Sequence, residues 1–440
     1  MDLPGSASAV IALAGGSSSS ASGSTFQSPT SSTGTGFGTA SQSSLTSTGL
    51  TETSTASSSG NSSGNSSSLP AYPLVRLNDR DYLRDQDGQQ QYPLPCDLPE
   101  MHRQILRSLM LLRVFGAPFC SPHLADHPPR RVLEIACGSG VWSGLCHDYF
   151  ARRGHANIQF TGIDLVAAAP DLRKRGVHWQ FKRHDLRKAR LPFPDGYFDF
   201  VFIKDTGAIP SSPAQQAYGL CEPLRVLQPG GTLEVWDSDW VFRSLLPNPA
   251  PAHSWTASRE QEIADATATY TFTAATPFTH AQNPYLRDYN TWVERAFDRR
   301  KLSALPCATI GLSFTAEVDT FERVENRRIA IPLSEMRWER DQQPQPQPQQ
   351  SQQSQQSTAR PKPPPLSLTP EQIAIRRTAL LTVLQMIEGL EPMLMQASGK
   401  SRDEWDRWWA AMTTDLLYRG GLAGGECLEV SAWWGRKSSV

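Results

Sequence analysis

The stretch RVLEIACGSGVWSG, from Arg131 to Gly144, decides the fold of this 440-residue chain. Its first half is apolar and predicts a buried strand, and the glycines that follow predict a tight turn into a helix. A strand, glycine turn and helix in this order form a common binding site for a small ligand. The residues further along the sequence indicate which ligand this is.

Strands and helices alternate after this turn. The predicted strands are RVLEIA from Arg131, IQFTGIDL from Ile158, VHWQFKRHDL from Val177, FDFVFIKD from Phe198 and TLEVWD from Thr232. The predicted helices between them include VWSGLCHDYFARRG from Val141 and PAQQAYGLCEPLRVL from Pro213. This alternation predicts an α/β fold with a parallel, doubly wound sheet covered by helices on both faces.

Polar residues stand where these strands end, and ligands of parallel sheets bind beyond the carboxyl ends of the strands. The residues concerned are Glu134 with the turn Gly138 and Gly140, then Asp164, then His184, Asp185 and Leu186, then Lys204 and Asp205, and finally Asp237.

Glu134 favours a cationic ligand over a dinucleotide. The dinucleotide pattern G-x-G-x-x-G is displaced here, with its third glycine at Gly144. An acid four residues before Gly138 would repel a pyrophosphate, whereas it suits the protonated amine and the sulfonium of S-adenosylmethionine. No phosphate-loop pattern G-x-x-x-x-G-K-[ST] follows any strand.

The same ligand accounts for the next strand ends. The carboxylate of Asp164 is suited to accept hydrogen bonds from ribose hydroxyls. Asp185 is expected to accept from the exocyclic amine of adenine, and Leu186 to offer the ring an apolar face. The ligand's carboxylate is expected to meet backbone N–H groups at the start of the helix.

Four motifs together resemble those of class I S-adenosylmethionine-dependent methyltransferases. They are VLEIACGSG, GIDL, HDL…LPFPDGYFDFVF and LRVLQPGGTLEVWD, in matching order over Arg131 to Asp239, and Ala136 departs from the glycine of many members. The resemblance implies S-adenosyl-L-methionine as the cofactor and no metal. It implies cofactor contacts from Glu134, Ala136, Gly138, Gly140, Asp164, Leu165, Asp185, Leu186 and Lys204.

The resemblance also implies a Rossmann-like sheet that is mostly parallel and ends in an antiparallel strand. ECLEVSAWWGRK, from Glu426, is the expected strand, and TFERVENRRIAIPL, from Thr320 to Leu333, is its expected partner. Two helices between them are predicted to begin after Thr369 and Ser401, both at capping patterns.

A narrower resemblance lies upstream. YPLPCDLPEMHRQ, from Tyr92 to Gln104, is similar to the fungal LaeA-like or TAM-domain group of methyltransferases. It implies a fungal enzyme connected with secondary metabolism or its regulation. Within it, Asp97 and Glu100 predict the start of a helix whose shared face holds Met101, Ile105, Leu109 and Leu112.

Composition divides the chain into segments. Residues 1–70 are rich in Ser, Thr and Gly and predict a disordered tail. The expected order continues with a helical segment over 71–130, the cofactor-binding core over 131–240, a helical cap insertion over 241–317, and a C-terminal part over 318–440. A Gln- and Pro-rich insertion at 342–365 is expected to be disordered.

Two questions stay open in the acceptor region. The first question concerns the aromatic residues at the start of and within the insertion over 241–317. They either line an apolar acceptor pocket or form ordinary core, and the sequence favours neither interpretation. They are Trp240, Phe242, Trp255, Tyr270, Phe272, Tyr285 and Trp292. No catalytic base is evident, and the weak candidates are Asp205, His184 and Asp237.

The predicted activity is methyl transfer to an O, N or C atom of a small molecule. The strand-four signature [DNS]-P-P-[YF] of amino-directed DNA methyltransferases is replaced by IKDTG. The alternative is a nuclear, LaeA-like regulatory protein that binds S-adenosylmethionine with little or no methyl transfer and meets protein partners through its tail.

Charge and cysteines limit the other functions. A net charge of −1 predicts neither nucleic-acid binding nor a membrane partner. Seven scattered cysteines without zinc spacing favour a reducing compartment. With no arginine or lysine before Arg76 to indicate a targeting peptide, the expected location is the cytoplasm or the nucleus.

Overall fold

The computed structural model describes residues 74–84, 92–187, 190–209, 219–247, 258–341 and 368–439. The predicted tail over 1–70, the Gln/Pro segment over 342–365, the residue Trp255 and the first six residues of the helix predicted from Pro213 lie outside these residues. No helix among the described residues is both long enough and apolar enough to cross a bilayer.

A twisted, mostly parallel sheet forms the centre of the fold. Its ten strands within the described residues are β3 Arg131–Ile135, β4 Gln159–Asp164, β5 His178–Arg183, β6 Phe198–Lys204, β7 Leu227–Ser238, β8 Arg243–Leu245, β9 Tyr270–Thr271, β10 Phe278–His280, β11 Phe321–Pro332 and β12 Glu426–Lys437. A separate two-stranded sheet is formed by β1 Leu74–Leu77 and β2 Arg80–Leu83. Strands β5, β4, β3, β6 and β7 are neighbours in that order and run parallel. From β3 the sheet grows in one direction through β4 and β5, and in the other through β6 and β7. Such a switch point, here between β3 and β6, opens a crevice for a ligand.

Strand β12 completes the sheet in the predicted way. It runs antiparallel to both of its long neighbours, with Val430 opposite Ser238 of β7 and Ile329 of β11. The Rossmann-like fold class and the antiparallel C-terminal strand are therefore confirmed, with the partner strand where the sequence predicted it.

Helices cover both faces of the sheet. They are α1 Leu98–Phe115, α2 His123–Asp126, α3 Val141–Ala151, α4 Cys221–Val226, α5 Arg259–Thr267, α6 Pro284–Arg299, α7 Pro306–Ala316, α8 Arg337–Asp341, α9 Pro370–Gly389, α10 Glu391–Ser398 and α11 Arg402–Tyr418, with 3₁₀ turns at Leu172–Arg175 and Val318–Thr320. Alternation along β6 divides the core, since Phe200 and Phe202 pack on one face and Val201 and Ile203 on the other.

The start of the described chain differs from the expected helical segment. Strands β1 and β2 form a hairpin whose turn residues, Asn78 and Asp79, both have positive φ. Asparagine and aspartate tolerate that conformation and suit a tight two-residue turn. Helix α1 does begin at Asp97, whose side chain accepts from the Glu100 N–H as predicted.

The face of α1 that packs on the protein is not the predicted one. Met101, Ile105, Leu109 and Leu112 are only half-buried, whereas Arg103, Arg107, Met110, Leu111 and Val114 are buried. Two arginines interrupt the apolar pattern of this buried face. Arg103 is paired with Glu100 one turn earlier on the helix, and Arg107 is paired with the distant Asp205.

The insertion over 241–317 is not purely helical. Besides α5, α6 and α7 it holds the short strands β8, β9 and β10, which join the main sheet. The two later helices match the sequence, since Thr369 and Ser401 each form a capping box. Trp405, Trp408, Met412 and Leu416 make up the buried face of α11.

Candidate functional site

The glycine turn after β3 is built on left-handed backbone. Gly138 and Gly140 have φ values of 49° and 67°, and Ala136 has φ of 57°. A Cβ at Gly140 would lie 3.2 Å from the Ala169 Cβ, so glycine is also required there by close packing. Alanine at 136 adopts this backbone at a cost of roughly 1–2 kcal/mol.

Glu134 turns inward from β3 to the start of α3. Its side chain accepts hydrogen bonds from Ser143 Oγ at 2.6 Å and from the Ser143 N–H at 3.3 Å. Burial raises the pKa of Glu134 to about 7. Since α3 has no side-chain cap at Gly140, this carboxylate caps the helix from the neighbouring strand.

Asp164 ties the end of β4 to the glycine turn. Its Oδ2 accepts from the Gly138 N–H at 2.8 Å and its Oδ1 accepts from the Val166 N–H at 3.1 Å. Burial raises its pKa. Each oxygen keeps a further lone pair for the hydroxyl of a ligand.

Asp185, after β5, is held by a close neighbour. Arg187 donates to its two oxygens from Nε at 2.9 Å and from Nη2 at 2.7 Å. A ligand amine that meets Asp185 therefore meets an arginine beside it, which the sequence analysis did not anticipate.

A large cavity opens at the carboxyl ends of the parallel strands, at the switch point between β3 and β6. The space between its lining residues, together with the open solvent at its mouth, amounts to about 1390 Å³. Of the predicted cofactor residues, those that line it are Ala136, Gly138, Asp164, Leu165, Asp185, Leu186 and Lys204. Glu134 and Gly140 are not part of that lining. Contact of any of these residues with the cofactor stays a prediction.

The far half of the cavity is charged. Arg107 donates from Nη2 to Asp205 at 2.9 Å, and Lys204 Nζ donates to the same carboxylate at 2.8 Å. Burial opposes the ionised form of Asp205, but these two cations hold its pKa well below the usual range. Asp205 also has φ of 56°, an unfavourable backbone that these contacts maintain.

Asp237, at the end of β7, has the opposite electrostatics. It lines the cavity, it is 4% exposed, and it accepts from the Gly207 N–H at 2.9 Å and the Ser238 N–H at 2.8 Å. Burial, and then the charge of Asp205 nearby, raise its pKa. Of the three weak candidates for a base, Asp205 is held by cations and His184 is not part of the cavity lining, which leaves Asp237 in the better position.

The cover of the cavity differs from the expected one. Its roof comes from α1, from α9 and from the stretch before α1, and no described residue of 241–317 lines it. The aromatic residues of that insertion belong mainly to the core: Phe242, Tyr289 and Trp292 are buried, and among the predicted aromatic set Trp240 alone of the described members reaches the cavity. Trp142 likewise belongs to the core, where its ring stacks on that of Phe202 with 3.8 Å between the ring centroids.

Sequence reasoning missed the roof residues. They are Tyr92, Leu94, Glu100, Arg103, Gln104, Arg107, Thr382, Val383 and Met386. One signal was present: Arg103 and Arg107 are one helical turn apart and so share a face of α1.

Comparison with known proteins shows which protein family the central segment resembles. Residues 132–231 match the family model described as "Methyltransferase domain". The chain contains a class I methyltransferase domain. This domain spans the glycine turn and the strand ends described above, and its class uses S-adenosylmethionine.

The curated relatives match only in part. The chain is 35% identical over 118 residues to a demethylmenaquinone methyltransferase of Beutenbergia cavernae, covering 26% of this chain and 42% of that protein. It is 29% identical over 203 residues to the ubiquinone/menaquinone biosynthesis C-methyltransferase UbiE of Bordetella avium, covering 42% and 70%. The chain therefore spans less than half the length of the first of these relatives.

Among solved structures, the chain is similar to an S-adenosylmethionine-dependent methyltransferase from Aquifex aeolicus, with 20% identity and a TM-score of 0.26. The match covers 40% of this chain and 90% of that one.

The methyltransferase domain's own residues fit S-adenosylmethionine. The left-handed glycine turn leaves space in front of Gly138, where a Cβ would meet only the end of the Gln104 side chain, at 2.8 Å. Asp164 and Asp185 supply acceptors for hydroxyl and amine donors at that end, and Leu165 and Leu186 supply apolar walls. This combination of acceptors and apolar walls suits a nucleoside.

Proposed function

We propose that the chain transfers a methyl group from S-adenosylmethionine to a small molecule held under α1 and α9. The observation that carries the proposal is one continuous cavity. It runs from Gly138, Asp164 and Asp185 at the domain's cofactor end to Asp205 and Asp237 at the next strand ends.

S-adenosylmethionine supplies a methyl group on a sulfonium, whose sulfur keeps the bonding electrons as a neutral thioether. The protein's task is then to hold the acceptor atom in line with that methyl group. Strand ends β6 and β7 form the floor under the acceptor, and α1 and α9 form the roof. Both exclude water from the reacting atoms.

Asp237 is the proposed recipient of a proton where the acceptor loses one. Its carboxylate borders the cavity, two backbone N–H groups fix its orientation, and its pKa is raised toward neutrality. A carboxylate with a raised pKa is a better proton acceptor than an ordinary one.

A planar, apolar acceptor is supported by two observations. Apolar side chains line the acceptor half, among them Leu94, Trp240, Val383 and Met386. The two partial relatives are named as methyltransferases of menaquinone and ubiquinone precursors, which are ring compounds.

The narrower proposal is membership of the fungal LaeA-like group. The stretch Tyr92–Gln104 that carries this resemblance supplies much of the cavity roof, including Tyr92, Glu100 and Arg103. A regulatory protein of that group with little turnover would use the same cavity for the cofactor.

Two measurements test the proposal. Calorimetry on the full chain should show binding of S-adenosylhomocysteine, with NAD and ATP inert. Asp164→Ala should weaken this binding by about 1–3 kcal/mol, because Gly138 and the ligand both lose an acceptor. Unchanged affinity in that variant would remove Asp164 from the site.

The second measurement separates enzyme from regulator. The chain is incubated with methyl-labelled cofactor and a small-molecule extract of a fungus, and the label is followed into extractable products. Transfer that fails in Asp164→Ala supports the enzyme. Tight cofactor binding without any transfer would favour the regulatory protein.

A further inference from the structure

Two buried arginines face the acceptor half of the cavity from the roof. Arg103 and Arg107 lie one turn apart on α1, with side chains 7% and 5% exposed, and both line the cavity. Charged side chains are rarely this buried without a specific partner.

Each arginine leaves one end of its guanidinium unused. Arg103 donates from Nε and Nη2 to Glu100, both at 2.7 Å, and Arg107 donates from Nε and Nη2 to Asp205 and Ser238. Within the described chain, neither Nη1 donates a hydrogen bond. Neither atom is among the buried polar atoms that lack a partner, so each Nη1 keeps contact with open space. The open space that both residues border is the cavity.

A buried arginine elsewhere in the fold behaves differently. Arg376, on α9, also pairs with an acid, Glu339, at 2.7 Å. Its Nη1 donates in addition to the Ser334 carbonyl and its Nη2 to the Ala268 carbonyl. Arg376 is thus tied into the fold at both ends, whereas Arg103 is tied at one end only.

The charges of the acceptor half favour an anion. Three cations line it, Arg103, Arg107 and Lys204, against the acids Glu100 and Asp205. Asp237 is a third acid, and burial and the charge of Asp205 raise its pKa, so the cations outnumber the anions whenever Asp237 holds a proton. A bound anionic group would balance the excess positive charge.

We propose that the acceptor is a small molecule with an anionic oxygen group, such as a carboxylate, on an apolar ring body, and that Arg103 binds this group through Nη1. The proposal rests on the proposed function, whose acceptor it specifies. A guanidinium edge matches a planar oxygen anion in shape and charge, and a Lys ammonium would not. The apolar side chains of Leu94, Val383 and Met386, which line the same cavity, would hold the ring.

Calorimetry with 2-naphthoate and 2-naphthamide tests the charge directly, because the two probes share their ring and differ in the anion. With S-adenosylhomocysteine bound, the full chain should bind naphthoate at least about 10-fold more tightly, the effect of a charge-assisted hydrogen bond. Arg103→Gln should abolish this preference and leave the affinities for naphthamide and S-adenosylhomocysteine unchanged.

Arg376→Gln is the matched control, since it removes a buried, acid-paired arginine away from the cavity. Its preference for naphthoate should equal that of the unmodified chain. If Arg103→Gln does not fold, Glu100→Gln combined with Arg103→Gln removes both charges at once and should show the same loss of preference.

Equal binding of the two probes to the unmodified chain, or no binding of either, would overturn the assignment. So would a preference that survives in Arg103→Gln or that disappears in Arg376→Gln. If naphthoate is preferred while S-adenosylhomocysteine does not bind, the anion site stands and the proposed function fails.

Discussion

The guanidinium of Arg107, in the roof of the cavity, binds the carboxylate of Asp205 at the end of β6, with 2.9 Å between Arg107 Nη2 and Asp205 Oδ1. The same Nη2 donates to Ser238 Oγ at 3.0 Å. One side chain of α1 therefore connects the ends of β6 and β7, which lie 98 and 131 residues away in sequence. The pair fixes the roof on the sheet.

Asp205→Asn should lower the free energy of unfolding by about 2–3 kcal/mol, because Arg107 and Lys204 lose their shared anion in a largely buried place. Asparagine tolerates the positive φ of this position, so the backbone is kept. The pKa of Asp205 is lowered in the folded state, so its contribution is present above pH ~4 and is lost as the pH falls further. Urea denaturation of both proteins between pH 3 and 7 measures it.

Asp195→Asn is the control for this pair, since Asp195 binds Arg225 at the surface and its side chain is 73% exposed. It should change the free energy of unfolding by no measurable amount. A loss for Asp205→Asn that stays constant down to pH 3 would contradict the role of its charge.

Asp237→Asn should reduce kcat for methyl transfer by about 100-fold or more, the usual effect of losing a general base. Because the pKa of Asp237 is raised, kcat/KM of the unmodified chain should rise with pH as this carboxyl ionises, and the substitution should remove that rise. The assay uses the acceptor identified by label transfer. Asp239→Asn, two residues on and outside the cavity lining, should keep both the rate and the pH profile.

Glu134→Gln should flatten the dependence of stability on pH. Burial raises the pKa of Glu134 to about 7, above the ~4.3 of an unfolded glutamate. The folded state then gives up stability as the pH rises from about 4 through 7, by roughly 3–4 kcal/mol. Glutamine keeps an oxygen for Ser143 without ionising. In denaturation experiments from pH 5 to 8, the free energy of unfolding of the variant should rise relative to that of the unmodified chain. Parallel profiles would contradict a raised pKa of Glu134.

Ala136→Gly should stabilise the fold, since Ala136 has φ of 57° and glycine adopts that backbone without the clash of a Cβ. The gain is about 1 kcal/mol, partly offset by the greater freedom of glycine in the unfolded chain. Ala296→Gly makes the same substitution at a buried position in the last turn of α6, where it should destabilise by about 1 kcal/mol. Thermal melts of the two variants should therefore move in opposite directions.

Local patterns predicted the strands and the strand-end residues, because both depend on the period of apolar residues and on short motifs. Gly138, Asp164 and Asp185 line the cavity for this reason. The roof depended on contacts that no local pattern contains. Arg107 on α1 reads as a surface residue until Asp205 is placed beside it by the fold.

The prediction for Glu134 failed to anticipate a local competitor. Its charge suggested a ligand amine, but Ser143 lies one turn into the next helix and offers it two donors. The hairpin of β1 and β2 was missed because its strands are only four residues each, too short for a periodic signal.

Removal of residues 426–440 should unfold the domain. Strand β12 lies between β7 and β11, and Cys427, Glu429, Ala432 and Ser431 on it are fully buried. Without it, both neighbours would expose unpaired backbone groups along most of their length, and Arg243 would lose its ion pair with Glu429. The truncated chain should show no cooperative thermal transition.

A deletion of residues 345–362, in the Gln/Pro segment between α8 and α9, is the counterpart to this truncation. The composition of this segment predicts disorder, and closure entropy changes slowly with the length of a disordered connection, by roughly 0.6 kcal/mol for each halving. The melting temperature should therefore stay close to that of the full chain. A deletion of 345–362 that melts far lower would show that this segment contributes to the stability of the fold. A C-terminal truncation that melts like the full chain would show that the sheet does not depend on β12 in the way that its pairing indicates.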